Sequence, residues 1–253
     1  MNSVEGKSIL ITGGGSGIGL DAARYFADRG AKVTVCGRRA EKISAAQNLI
    51  GEACVGVVAD VTNAEDRVRL IDAAVTHGCG LDALVSSAGN MYRGLITEVE
   101  ENELVDIFHS NVIGGMMLTG LATPHLEKTS GSVIFIGSVH NRRAFPGASP
   151  YAATKAALEG LTRVLAAELG SKSIRVNCIV PGAVFTEINQ RAGLFDDKDA
   201  LTRLNSMSCL HALGRIGKTS EIAQAMDYLI SAEWTTGAIL DVDGGLGLGL
   251  TSG

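Results

Sequence analysis

The chain has 253 residues, 46% of them hydrophobic and 19% charged, enough to bury the core of one large α/β domain. Its net charge of −5 argues against broad attraction to nucleic acid or an anionic membrane, while leaving room for a local basic site. The five cysteines, Cys36, Cys54, Cys79, Cys178 and Cys209, are odd in number and form no C-x-x-C pair, which argues against a zinc or disulfide framework and predicts free thiols.

The N-terminus passes straight into a short strand, with no basic region ahead of a long apolar segment, so no secretory signal is expected. SILIT (8–12) reads as a buried strand and 17–29 as a helix. KVTVC (32–36) is a strand and 40–50 a helix; CVGVVAD (54–60) is a strand and 63–77 a helix. LDALVSS (81–87) is a strand, followed by a long helix over about 100–126. SVIFIGS (132–138) is a strand and 150–169 a helix, and IRVNCIV (174–180) is a strand. Residues 188–205 and 219–231 read as helices, and AILDV (238–242) closes as a strand. The glycine-rich end, GGLGLGLTSG, is expected to be mobile unless another subunit holds it. No unbroken apolar run reaches the ~18 residues of a membrane helix, so a soluble cytoplasmic protein is expected.

The strands are apolar throughout rather than alternating, as in a parallel sheet covered on both faces. Strand–helix alternation of this length predicts right-handed crossovers and a doubly wound sheet.

Three features carry chemistry. TGGGSGIG (12–19) follows the first strand and opens the first helix. Its glycines allow a sharp turn and close approach of a ligand, and the free N–H groups of the helix start would face a pyrophosphate. The spacing is neither G-x-G-x-x-G nor a Walker loop. Tyr151 and Lys155 stand four apart on a predicted helix and so share a face. Tyrosine titrates near 10, and an adjacent ammonium would lower that value, which makes the pair a tunable proton donor and acceptor. Ser138 lies where the fifth strand ends, at the edge where open α/β sheets bind ligands.

With these elements the chain resembles the short-chain dehydrogenase/reductase family over essentially its whole length. Thr12, Gly13, Gly17 and Gly19 match the family's T-G-x-x-x-G-x-G; Ser138, Tyr151 and Lys155 match its catalytic residues, and Asn111 its active-site asparagine. The resemblance implies a Rossmann-type doubly wound α/β fold with about seven parallel strands ordered 3-2-1-4-5-6-7. It also implies one catalytic domain over 1–253, a variable substrate lid at about 184–213, and a homotetramer. Cofactor contacts carried over from the family are Gly13, Ser16, Gly17, Ile18 and Gly19 in the loop, Asp60 and Val61 for adenine, and Ala88 and Gly89 beside the ribose. Tyr151, Lys155, Pro181, Gly182 and Thr186 complete that set. In this family Lys155 holds the nicotinamide ribose and Asn111 positions a water that links Lys155 to solvent. One departure stands out: the family's N-N-A-G reads SSAG (86–89) here, and Ser87 replaces an asparagine that braces the sheet.

An NAD enzyme of this fold places Asp or Glu at the end of the second strand to bind the ribose diol. Here that position is Gly37, followed by Arg38 and Arg39. Guanidinium binds phosphate bidentately, so NADP(H) is expected, with Arg38 the direct ligand and Arg39 stacked on adenine or turned to water. Two cations at the positive end of a helix cost about 0.3–1 kcal/mol each, which a bound phosphate offsets. The counter-observation is Ser16, where many NADP-using relatives carry a basic residue. The expected reaction is hydride transfer between nicotinamide and a ketone or secondary alcohol. An NAD-dependent alcohol dehydrogenase working oxidatively and a non-catalytic dinucleotide-binding protein stay open as alternatives. His140, Arg142 and Arg143 border the expected substrate region, and Met91 and Tyr92 could line it; no metal is expected.

Overall fold

The computed structural model describes residues 4–187, 202 and 204–249. Seven strands form one parallel sheet in the order β3-β2-β1-β4-β5-β6-β7. They are β1 (Ser8–Thr12), β2 (Lys32–Gly37), β3 (Cys54–Val58), β4 (Ala83–Ser86), β5 (Ser132–Ile136), β6 (Arg175–Pro181) and β7 (Ile239–Val242). The helices are α1 (Gly17–Ala27), α2 (Ala40–Ile50), α3 (Ala64–Gly78), α4 (Glu101–Phe108), α5 (Gly114–Leu126), α6 (Ser149–Leu169) and α7 (Thr219–Ser231).

The unbroken apolar strands follow from two helical layers. Ile9 and Ile11 pack with Phe26 of α1 and Met226 of α7 on one face. Leu10, between them in sequence, packs with Leu70 of α3 and Leu118 of α5 on the other. The same alternation places Ile134 and Ile136 in the first layer and Val133 and Phe135 in the second. Every residue of β1 and β5 is buried, so neither strand can carry a polar stripe.

The long helix expected at 100–126 is interrupted. Between α4 and α5 the residues His109–Ile113 form a π-helical turn, in which the Gly114 N–H reaches back to the His109 carbonyl. Beyond it, Gly114 and Gly115 bring α5 close to the sheet. A Cβ on Gly115 would fall 2.6 Å from Ser86 Oγ. Leu118, Ala122 and Leu126 are fully buried beneath α5, while Ile113, Met116, Met117 and Leu121 face outward. The helical stretch Glu101–Thr129 is, by length and composition, long and apolar enough to cross a membrane. Polar residues interrupt it, so a search for unbroken apolar runs overlooks it. Only one face of it, with Leu118, Ala122 and Leu126, is buried, and 39% of its most apolar part is covered.

The start of the glycine-rich end is pinned rather than loose. Leu246 is fully buried, and the Asp243 carboxylate accepts hydrogen bonds from the N–H groups of Gly245 and Gly247 at 2.8 and 2.6 Å. The helix expected at 188–205 lies mostly outside the described residues. All five cysteines are free; Cys36, Cys54 and Cys178 are buried, while Cys79 and Cys209 are exposed.

Candidate active site

The carboxyl ends of β1, β4, β5 and β6 open onto one cleft. It is lined by Gly13, Ser16, Gly17, Ile18 and Gly19, by Arg38, Asp60, Val61, Ala88 and Gly89, and by Ser138, His140, Tyr151, Lys155, Pro181, Gly182 and Thr186. Of the expected site residues, Arg39 and Asn111 stand just behind its wall.

At one end the glycine loop has no room for side chains. Gly13 adopts φ +71°, and a Cβ on Gly19 would lie 2.5 Å from the Gly13 carbonyl oxygen. Helix α1 begins at Gly17, and its N-cap residue Ser16 makes no side-chain capping bond, so the first N–H groups are left to a ligand. The loop is braced from below. Thr12 Oγ1 accepts hydrogen bonds from the N–H groups of Ser87 and Ala88 at 3.0 and 2.9 Å. The tie between β1 and β4 therefore holds with serine at position 87, because it uses that residue's backbone. This cradle fits a dinucleotide pyrophosphate.

The two arginines diverge. Arg38, 61% exposed, approaches Asp60 at 3.9 Å and donates to Asn90 Oδ1 at 3.4 Å. Arg39, its side chain 39% exposed, turns toward the glycine loop. It donates to Ser16 Oγ at 3.3 Å and pairs with Glu187 at 3.0 Å. Lys42 pairs with the other oxygen of Glu187 at 2.8 Å. Glu187 follows β6 and is 148 residues from Arg39, so no local pattern could have pointed to it.

At the other end Ser138, Tyr151 and Lys155 are all buried. Tyr151 and Lys155 sit on successive turns of α6, and Lys155 Nζ lies 5.6 Å from the tyrosine ring centre. The ammonium donates to the Ile136 carbonyl at 2.7 Å. Burial pushes its pKa down to about 8. Burial also raises the Tyr151 pKa, while its hydrogen bond with Ser138 and the charge of Arg93 act the other way. The net direction is upward, opposite to the lowering expected of the Tyr151–Lys155 pair. Desolvation of the phenolate dominates, and Lys155 is aimed at a carbonyl.

His140 is tied into this group. Its Nδ1 shares a 3.0 Å hydrogen bond with Ser138 Oγ, and its ring stands edge-on to Tyr151 at 5.1 Å. Burial, with the charges of Arg93 and Lys155, lowers its pKa to about 4, so it is neutral at physiological pH. Asn111 sits in the π-helical turn. Its amide donates to the Asn90 carbonyl at 2.9 Å and to Thr154 Oγ1 at 3.1 Å, and its oxygen accepts from the Asn90 N–H at 2.7 Å. The side chain thus clamps the segment following β4 to α6.

Apolar residues close this end: Val139, Leu204 and Leu246, with Phe145 and Met207 packed against them. The sequence places Val139 and Phe145 in the loop expected to border substrate and Leu204 and Met207 in the expected lid, without singling any of them out; Leu246 and Arg93, three residues past Asn90, were not expected in the cleft lining. Arg142 does not face the cleft: it pairs with Glu159 at 2.6 Å and Asp241 at 3.3 Å, tying the loop to α6 and β7. Arg143 also lies away from the cleft lining.

A sequence-family profile described as Enoyl-(Acyl carrier protein) reductase matches residues 13–247. The chain is 35% identical over 241 residues to carbonyl reductase family member 4 of Danio rerio, covering 94% of this chain and 97% of that one. It is 37% identical over 249 residues to dehydrogenase/reductase SDR family member 4 of Sus scrofa, covering 96% and 88%. Among solved structures, a short-chain dehydrogenase/reductase from Caenorhabditis elegans with cofactor superposes with a TM-score of 0.90 at 28% identity, covering 98% and 97%. A 3-ketoacyl-(acyl-carrier-protein) reductase from Brucella melitensis complexed with NADH gives 0.89 at 31% identity, covering 97% and 100%.

Proposed function

The chain belongs to the short-chain dehydrogenase/reductase family, and on that premise we propose that it is a single-domain NADP(H)-dependent oxidoreductase that reduces a ketone to a secondary alcohol. The observation that carries this reading is a buried, protonated Tyr151 beside Ser138, in the same cleft as a glycine cradle flanked by arginines and no carboxylate at the end of β2.

When bound, the nicotinamide supplies the hydride. The protein supplies placement, electrostatics and the proton. The substrate oxygen is held between the Ser138 and Tyr151 hydroxyls. Tyr151 gives its proton to that oxygen, and Ser138 hydrogen-bonds it as negative charge develops. A phenol whose pKa is raised stays protonated at neutral pH and so carries the proton that reduction consumes, while the ratio of cofactor forms sets the net direction. Lys155, charged below about pH 8, stabilises the tyrosinate left behind and holds the cofactor ribose. Asn111 fixes the geometry of α6 against the strand end, and through it the site of the water that relays protons to Lys155. His140 orients the Ser138 hydroxyl. Its backbone N–H also donates to Ser138 Oγ at 3.4 Å.

The apolar wall of Val139, Phe145, Leu204, Met207 and Leu246 favours a ketone with apolar substituents, such as a cyclic ketone or a 3-oxoacyl thioester. Outward-facing Ile113 just before α5, Met116, Met117 and Leu121 on α5, and Val164 on α6 support self-association, for which we take a homotetramer that light scattering would test. The reaction is tested by following NADPH and NADH oxidation across a panel of ketones. Turnover with a kcat/KM at least about tenfold higher for NADPH is expected. A preference for NADH would favour the oxidative NAD enzyme, and cofactor binding without turnover on any ketone or alcohol would favour a binding protein.

A further inference from the structure

The residue that answers for Ser16 is Lys42. No side chain projects from Gly15, and the stem of Lys42 lies over it: a Cβ on Gly15 would be 3.2 Å from Lys42 Cβ. The ammonium thus comes from the first turns of α2 to the place where a loop cation would stand. Arg39, which also reaches Ser16, and Lys42 then converge on one anion. Arg39 reaches Ser16 Oγ at 3.3 Å and Glu187 Oε2 at 3.0 Å, and Lys42 reaches Glu187 Oε1 at 2.8 Å. Hydrogen bonding to Lys42, with that to Arg39, holds the Glu187 carboxyl below the ordinary carboxylate range, so it is ionised at neutral pH.

We propose that Glu187 is a specificity-determining residue whose carboxylate competes internally for the 2′-phosphate of the cofactor at Arg39 and Lys42. The inference rests on the NADP(H) reading. A phosphate dianion carries more charge and more acceptor oxygens than a carboxylate, so it can displace Glu187 from both cations. The displaced contacts subtract from the affinity for 2′-phosphorylated ligands. A ligand with a free 2′-hydroxyl leaves the Glu187 pairs in place and feels no such penalty. Discrimination between the two cofactors is therefore narrower than Arg39 and Lys42 alone would give.

The test is calorimetric binding of adenosine 2′,5′-bisphosphate and adenosine 5′-monophosphate to the full chain, its Glu187→Gln and Glu187→Ala variants, and Lys42→Met, each checked for an unchanged melting temperature. Both Glu187 variants are expected to bind the bisphosphate about three- to tenfold more tightly at low salt, with the monophosphate within about twofold. Lys42→Met is expected to weaken the bisphosphate alone. Unchanged or weaker bisphosphate binding in the Glu187 variants, with wild-type preference for the bisphosphate intact, would overturn the role of Glu187 and leave the NADP(H) reading standing. Weaker monophosphate binding in those variants would make Glu187 a reader of the ribose diol instead. Equal wild-type affinity for the two ligands would overturn both readings.

Discussion

The two ends of the cleft handle charge in opposite ways. At the phosphate end, Arg38, Arg39 and Lys42 have side chains 61, 39 and 41% exposed, each in contact with a carboxylate. Water and salt screen such pairs, and each is worth no more than about 1 kcal/mol. At the chemical end, Tyr151 and Lys155 are each 6% exposed, and burial moves their proton equilibria directly. Recognition is thereby spread over several weak contacts, whereas reactivity is concentrated in a few groups whose surroundings leave no substitute.

That contrast can be broken most readily at Tyr151. Tyr151→Phe is expected to lower kcat by about 10²–10⁴-fold with cofactor affinity nearly unchanged, since it removes the proton donor and little contact. Near-normal turnover in a folded variant would end the assignment. Ser138→Ala should cost about 10²–10³-fold in kcat, the scale of one donor lost from a developing oxyanion. The pH profile sharpens the same end. Lys155 is charged below its pKa of about 8 and neutral above it, so reductive kcat/KM should hold at lower pH and fall as pH rises through about 8. Tyr151, with its pKa raised, stays protonated across that range and does not set the limb. His140, with a pKa of about 4, adds no limb between pH 5 and 7. Lys155→Arg should remove the alkaline limb whatever its effect on rate, because guanidinium stays protonated. The smallest effect belongs to the phosphate end: Arg39→Ala should raise the KM for NADPH about five- to tenfold at low salt, less at high salt, with kcat preserved. A kcat loss there to match that of Tyr151→Phe would erase the distinction between the two ends.

Much of this was legible in the chain, and unevenly so. The strands were readable because each is a short apolar run whose burial on two faces is a local property of its residues. β3 is shorter than the run 54–60 at its carboxyl end and β4 shorter than 81–87 at both ends; residues 59, 60 and 87 lie past the last ladder bond at the ligand edge, whereas Leu81 and Asp82 precede the ladder. Ser138, Tyr151 and Lys155 were readable by spacing and resemblance. The direction of the Tyr151 shift was not, because it depends on how deeply α6 is covered. Which arginine meets the glycine loop was not readable either. The answer depends on the path of the chain after β6 and on a carboxylate brought from far along the sequence. The π-helical turn escaped notice because the hydrophobic pattern across 100–126 is continuous.

That turn has a consequence for how the protein can change. A π-helical turn holds one more residue than the α-helical turn it replaces. Deleting one residue within 109–113 would therefore regularise the helix and leave α5 close to its present phase, with Leu118 still toward the sheet and Met116 and Met117 still outward. Asn111 would lose the register that brings it to Asn90. The turn separates the polar clamp of the cleft from the face α5 shows to its surroundings, so the chain can alter the one without disturbing the other.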